Sequence, residues 1–204
     1  MVFTRRHAAA AGHMSRRLIV CAAMLAIGTA VFASGEPAAS EKRIGDAGPV
    51  SVVETDGIYR VTATFTVPQV PAAAIAVLTD FERIPSYVPD MKTSTIIERN
   101  ATGPVVEQEA VARFMMFTKK VHLLLQVSED RGTITFRDRC GKSFDLYEGA
   151  WIVQAAAAGS TITYQLAAKP LFDVPPFVLK RLMKRDAADL VASITAAIAA
   201  RGVK

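Results

Sequence analysis

The last stretch of the chain, Val174 to Arg201, constrains the fold more than any other. It reads VPPFVLKRLMKRDAADLVASITAAIAAR. Pro175 and Pro176 suit the first turn of a helix, where a missing N–H costs nothing. No Pro or Gly follows until Gly202, so a helix can run unbroken for about 25 residues, about 38 Å at 1.5 Å per residue. Leu179, Leu182, Met183, Ala187, Leu190, Val191, Ile194 and Ile198 recur at helical spacing and form one broad apolar stripe. Lys180, Arg181, Lys184, Arg185 and Asp189 lie off it. Such a helix must cover something apolar, and what precedes it reads as nearly all strand. The expectation is a curved sheet closed over one long helix.

At the other end, residues 1–33 read as an export leader rather than as part of the fold. Arg5, Arg6, Arg16 and Arg17 stand there with no acidic residue, followed by an apolar run from Leu18 that ends in Val31-Phe32-Ala33. That is a basic region, an apolar region and a small-residue cleavage signal. The run holds Gly28 and Thr29 and falls short of the ~20 apolar residues of a comfortable membrane span. The chain is therefore expected to be exported, to a periplasmic location, or anchored to the inner membrane if the leader stays uncut. Ser15-Arg16-Arg17 matches the twin-arginine signal only loosely, and Met14 is an alternative start.

Setting the leader aside changes the charge argument. Lys and Arg number 24 against 19 Asp and Glu. The leader takes four of the arginines and no acid, leaving 20 against 19. A nucleic-acid partner is therefore not expected, because such a binder keeps a basic surplus in its folded part. Of the two cysteines and three histidines, only Cys140 and His122 lie beyond the leader. No internal disulfide can form, and no metal or cofactor is expected on this shortage of ligands.

Residues 34–49 are poor in bulky apolar side chains and read as a tether; residues 50–204 then form one domain. Asp56-Gly57 signals a hairpin between Val50–Val53 and Tyr59–Val67. In the second of these, Tyr59, Val61, Ala63, Phe65 and Val67 alternate with polar residues, the pattern of a half-buried strand. Two short helices follow, Ala72–Leu78 and Phe81–Val88. Six more strands are expected at Thr93–Arg99, Val105–Phe117, Lys120–Ser128, Thr133–Asp138, Phe144–Gln154 and Thr161–Ala168. Short breaks between them imply antiparallel neighbours, and segregated strands and helices imply an α+β fold.

This order, together with the stretch Leu78-Thr79-Asp80-Phe81-Glu82-Arg83-Ile84-Pro85-Ser86-Tyr87-Val88-Pro89, resembles the START-like (SRPBCC) superfamily. The branch is that of polyketide cyclases/dehydrases and coenzyme-Q-binding START domains. Phe144 to Trp151, Gly159 to Tyr164 and the terminal helix carry the same likeness, which spans about Val50 to Arg201. The resemblance implies a helix-grip fold: a seven-stranded curved antiparallel sheet around the C-terminal helix, with two short helices after the first strand. It also implies a deep apolar cavity for a lipid, a quinone or a polyketide-like molecule. Quinone-binding members are carriers without catalysis, whereas cyclase members fold polyketides. An export leader departs from both the cytosolic and the mitochondrial setting of such proteins.

Strand alternation then selects the inward side chains. Ala110, Ala112, Phe114 and Met116 share one face, as do Leu123 and Leu125, and Tyr147, Gly149 and Trp151; Phe136 and Tyr164 face the same way. With Leu182, Met183, Asp186 and Leu190 of the helix they are the expected lining of a ligand cavity. Gly149, Ala110 and Ala112, facing Ala187, are small enough to leave room. Tyr147, Trp151 and Tyr164 each carry one polar atom on an apolar body, to be met by a ligand or by protein. Asp186 falls on the apolar side of the helix and must be paired, hydrogen-bonded or protonated there; a ligand contact and a structural partner such as a sheet arginine are both open.

Catalytic signatures are poor. His122 lies on the polar face of its strand, Cys140 lies in a turn, Glu107 and Glu109 share an outer surface, and Asp80 reads as a helix N-cap. The expectation is a non-enzymatic carrier of a hydrophobic small molecule, a lipid or isoprenoid quinone. The alternatives are an aromatase/cyclase or dehydrase acting on a polyketide-like substrate, and an interaction module with a collapsed cavity. The apolar loops Phe114–Lys120 and Leu171–Phe177 either touch a membrane surface transiently or pack on each other.

Overall fold

A computed structural model of the protein describes residues 48–114 and 117–201, the side chains of Phe114 and Phe117 excepted. The expected leader, nearly all of the tether and the side chains of Phe114 and Met116 lie outside the described residues. The strands are β1 (Ser51–Thr55), β2 (Ile58–Val67), β3 (Met91–Asn100), β4 (Gly103–Phe114), β5 (Phe117–Asp130), β6 (Thr133–Asp138), β7 (Phe144–Ala156) and β8 (Gly159–Pro170). Between β2 and β3 come helix α1 (Pro71–Leu78) and a 3-10 helix, Phe81–Ser86; the chain closes with α2 (Pro176–Arg201). All strands pair antiparallel in one sheet of order β1-β2-β8-β7-β6-β5-β4-β3.

The sheet has eight strands rather than seven, and the short helices follow the second strand, not the first. The reason lies in Asp56-Gly57, both at positive φ (54° and 75°), the geometry of a tight hairpin turn. Glu54 Oε1 accepts a hydrogen bond from Gly57 N–H at 2.8 Å, and Ser51–Thr55 folds back as a paired edge strand. A second correction concerns the β4–β5 hairpin. Val111 pairs with Lys120, Ala112 with Lys119 and Phe114 with Phe117, so β4 ends at Phe114, three residues before the expected Phe117, and β5 starts three residues before the expected Lys120.

Alternation holds through the sheet. Val121, Leu123, Leu125 and Val127 are buried, as are Ile134, Trp151, Val153, Ile162 and Tyr164. They join Leu179, Leu182, Ala187, Val191, Ile194 and Ile198 of α2 in one apolar cluster. Helix α2 lies over β1 and β2 and against α1. Arg201 fixes its end, donating to the Ala76 carbonyl at 2.9 Å and to the Asp80 carboxylate. Asp80 stands at the N-cap position of the 3-10 helix but makes no capping bond; its side chain serves this long-range ion pair instead. Among the described residues no helix is long and apolar enough to cross a membrane.

Candidate functional site

Where α2 leaves the β4–β7 flank of the sheet, a hollow of about 110 Å³ remains. The sheet supplies Met91, Gln108, Leu125, Val127, Ile134, Phe136, Tyr147, Trp151 and Tyr164; α1 and the 3-10 helix add Leu78, Phe81 and Ile84; α2 adds Leu190 and Ile194. Of the expected lining, Leu125, Phe136, Tyr147, Trp151, Tyr164 and Leu190 come together here. Leu123 and Leu182 are buried in the core, while Ala110, Ala112 and Met183 are partly buried against it. Gly149, expected on the inward face, does not line the hollow: a Cβ there would stand 2.6 Å from the Phe136 ring and 2.2 Å from the Gln165 carbonyl oxygen, so ring and strand already fill that place. Only glycine allows that ring and strand so close.

The polar atoms of the hollow are few. The hydroxyls of Tyr147 and Tyr164 bond to each other. Burial pushes the Tyr147 phenol up to about 12, and that of Tyr164 well above its ordinary value; both therefore stay protonated, hydrogen-bonding groups rather than bases. The Trp151 and Tyr164 rings lie 4.4 Å apart between centroids. Gln108, buried, donates its amide to Ser94 Oγ at 3.1 Å. Strand parity places Gln108 with Ala110 and Ala112, so it was there to be found; the contribution of the short helices was not, because nothing local registers them against the sheet.

Asp186 does not line the hollow. Its partner is Arg185, the preceding residue, at 2.7 Å, and the same guanidinium donates to the Arg113 carbonyl of β4 at 2.7 Å. Arg113 in turn pairs with Asp90 at 2.5 Å. A sheet arginine thus joins the group through its backbone rather than by meeting the carboxylate. Burial raises the Asp186 carboxyl above its ordinary value, against the lowering effect of Arg185.

The remaining titratable groups lie elsewhere. His122 faces outward between Glu107 and Glu109, with Nε2 at 3.6 Å from Glu107 and Nδ1 at 3.9 Å from Glu109. The Cys140 thiol donates to Asp138 at 3.3 Å, and burial pushes it up, away from the thiolate a nucleophile needs. A wider depression of about 470 Å³ lies over Arg60, Arg137, Glu148 and Gln165. It is open to water and crossed by the Arg137–Glu148 ion pair, so it cannot shield an apolar molecule.

A family model described as polyketide cyclase / dehydrase and lipid transport matches residues 59–201, which hold every element from β2 to α2. The chain belongs to that family. Solved structures share its START, or helix-grip, fold. A START superfamily protein from Mycobacterium smegmatis is 17% identical, with a TM-score of 0.61 over 68% of this chain and 96% of its own. The Zhui aromatase/cyclase from Streptomyces sp. R1128 is 14% identical, with a TM-score of 0.61 over 71% of this chain and 95% of its own. A STAR-related lipid transfer protein from Xanthomonas axonopodis is 16% identical, with a TM-score of 0.56 over 73% and 98%. No curated protein sequence matches the chain. The family thus holds both ligand carriers and enzymes on one ligand-binding fold.

Proposed function

We propose that the protein is an exported, non-enzymatic carrier that shields a hydrophobic small molecule, a lipid or an isoprenoid quinone. One observation carries this reading: the hollow is walled almost wholly by apolar and aromatic side chains, and among the described residues no carboxylate, histidine, lysine or arginine lines it. Its titratable groups, Tyr147 and Tyr164, stay protonated at neutral pH. A cyclase or dehydrase needs a positioned acid or base with a usable pKa, and the wall offers only hydrogen-bond donors and acceptors. The leader expected from residues 1–33 would favour the same reading, since carrier-protein-bound polyketides are normally cytosolic substrates.

A hollow of about 110 Å³ is smaller than the ~150 Å³ that takes benzene and far below the ~300–1,000 Å³ of drug-sized ligands, so as it stands it admits only a short acyl segment. A longer guest needs side chains to move aside, and Met183, flexible and only partly buried against the core, is suited to do so. Affinity comes from apolar area removed from water, about 25 cal/mol per Å², and Gln108 with the tyrosine pair orients the polar end. Native mass spectrometry with solvent extraction of protein purified from its own envelope fraction is the test. The expected result is a co-purifying lipid or quinone on a chain shortened by its leader. Turnover of a polyketide-like substrate by protein that carries no such ligand would overturn the reading.

A further inference from the structure

From the exposed side chains at the start of α2 we infer that this end of the molecule docks on an anionic lipid bilayer. Large apolar side chains exposed singly, such as Val53, Val70 and Ile97, are ordinary and carry no meaning. Phe177 and Leu171 differ, because of where they stand. Phe177, 77% exposed, shares one face of α2 with Lys180, Arg181 and Lys184, at the i, i+3, i+4, i+7 spacing of neighbours on a helix surface. All three cations are exposed. Leu171, 59% exposed, lies in the loop that feeds the helix. The exposed acid in this segment is Asp173, so the patch is an apolar tip with a surplus of positive charge. Lys119 and Lys120, also exposed, stand on β5 next to the place where Arg185 bonds to Arg113.

That combination fits the boundary of a bilayer. Aromatic and aliphatic tips sit at the level of the headgroups, and lysine and arginine meet anionic phosphates from the aqueous side. A second copy of the chain would bring like charges together. The loop is also tied to the hollow: Phe172 packs edge-on against Phe144 at 6.0 Å between centroids, and Phe144 against Tyr147 at 4.8 Å. A bilayer seated on Leu171 and Phe177 is therefore two ring contacts away from the wall of the hollow. The docking deepens the carrier reading by naming the surface through which a ligand is exchanged, while its geometry is independent of what the hollow holds.

Flotation of the full chain with vesicles tests it. Wild type is expected to bind vesicles of phosphatidylglycerol and phosphatidylcholine far better than pure phosphatidylcholine, with binding lost as salt rises. Replacing Lys180, Arg181 and Lys184 together by Ala should lower affinity for the anionic vesicles about a hundredfold. The double change Leu171→Ser and Phe177→Ser should lower it about tenfold or more. All five positions are exposed or at the surface, so melting temperatures should match wild type. Reading each variant against wild type cancels any contribution of the leader. Docking is overturned if both variants float as wild type does, if neutral and anionic vesicles bind alike, or if the substitutions instead turn a dimer into a monomer by light scattering. Vesicle binding by a chain that carries no ligand would leave docking standing and remove the carrier; a ligand-loaded chain that ignores vesicles would do the reverse.

Discussion

The two flanks of the sheet carry the same alternating pattern and meet different fates. On the β1–β2–β8 flank, Val61, Ala63, Phe65, Val67 and Ile162 are fully enclosed, because α2 and α1 lie directly on that side of the molecule. On the β4–β7 flank Leu125, Val127 and Ile134 are buried, but Ala110, Ala112, Phe136 and Tyr147 are only partly so, and a hollow lies in front of Phe136 and Tyr147. Sequence periodicity alone does not separate the two, since both flanks are apolar on the face toward the helix. The separation comes from where one rigid helix lies across a sheet wider than itself. Side-chain type does not divide them: Ala63 and Phe65 stand on the covered flank, and Leu125, Val127 and Ile134 line the hollow beside the rings. Packing decides stability on the first flank, and the unfilled volume gives the second its use.

The largest effect should come from emptying the covered flank. Phe65→Ala removes a ring that is fully buried and should cost about 4 kcal/mol, read in urea or thermal melts. A loss of under about 1 kcal/mol would mean that this flank is as loose as the other. Filling the uncovered flank should do the opposite. Leu190→Phe adds carbons where the wall has space, so stability should change by less than about 1 kcal/mol, against the ~1–3 kcal/mol of overpacking in a dense core. The bound guest, or an apolar dye standing in for it, should be excluded. A large destabilisation with the dye still bound would erase the distinction between the flanks.

The smallest effect should come from Asp186. Burial raises its carboxyl in the folded chain, so ionising it disfavours the fold. That cost is absent below the ordinary carboxylate range, grows as pH rises to the raised value, and is constant above it. The side chain is still 40% exposed, so solvent screening keeps the cost small. Asp186→Asn should raise the melting temperature by a degree or two at neutral pH (about 0.5 kcal/mol or less), with no gain in strong acid. A lower melting temperature at neutral pH would show that the bond to Arg185 outweighs burial.

Much of the fold is legible in the chain because period and punctuation are local properties. The expected strands from Thr93 to Ala168, all but Val105–Phe117, lie within those observed, and α2 runs from Pro176 to Arg201, just short of Gly202. The end of β4 and the start of β5 are not legible, because the apolar stretch Phe114 to Phe117 holds no Gly, Asn or Pro to mark a break, and the expected boundary slid toward Thr118-Lys119. Long-range partners are hidden for a different reason. Nothing near Asp80 announces Arg201, and nothing near Asp186 says that its own neighbour turns to meet it. The wall of the hollow divides the same way. Its sheet residues follow from parity, whereas Leu78, Phe81 and Ile84 enter only once α1 and the 3-10 helix are set against β3.

Two phenols that bond to each other use one hydrogen between them and keep one in hand. The spare hydrogen of the Tyr147–Tyr164 couple faces a wall that is hydrocarbon and aromatic carbon apart from the Gln108 amide and the Trp151 indole N–H, and either phenol oxygen can surrender it. A visitor bearing a carbonyl or ether oxygen would be held there, while a plain hydrocarbon would leave the demand unmet. The couple thus works as a filter by chemistry where the rest of the enclosure sorts only by shape.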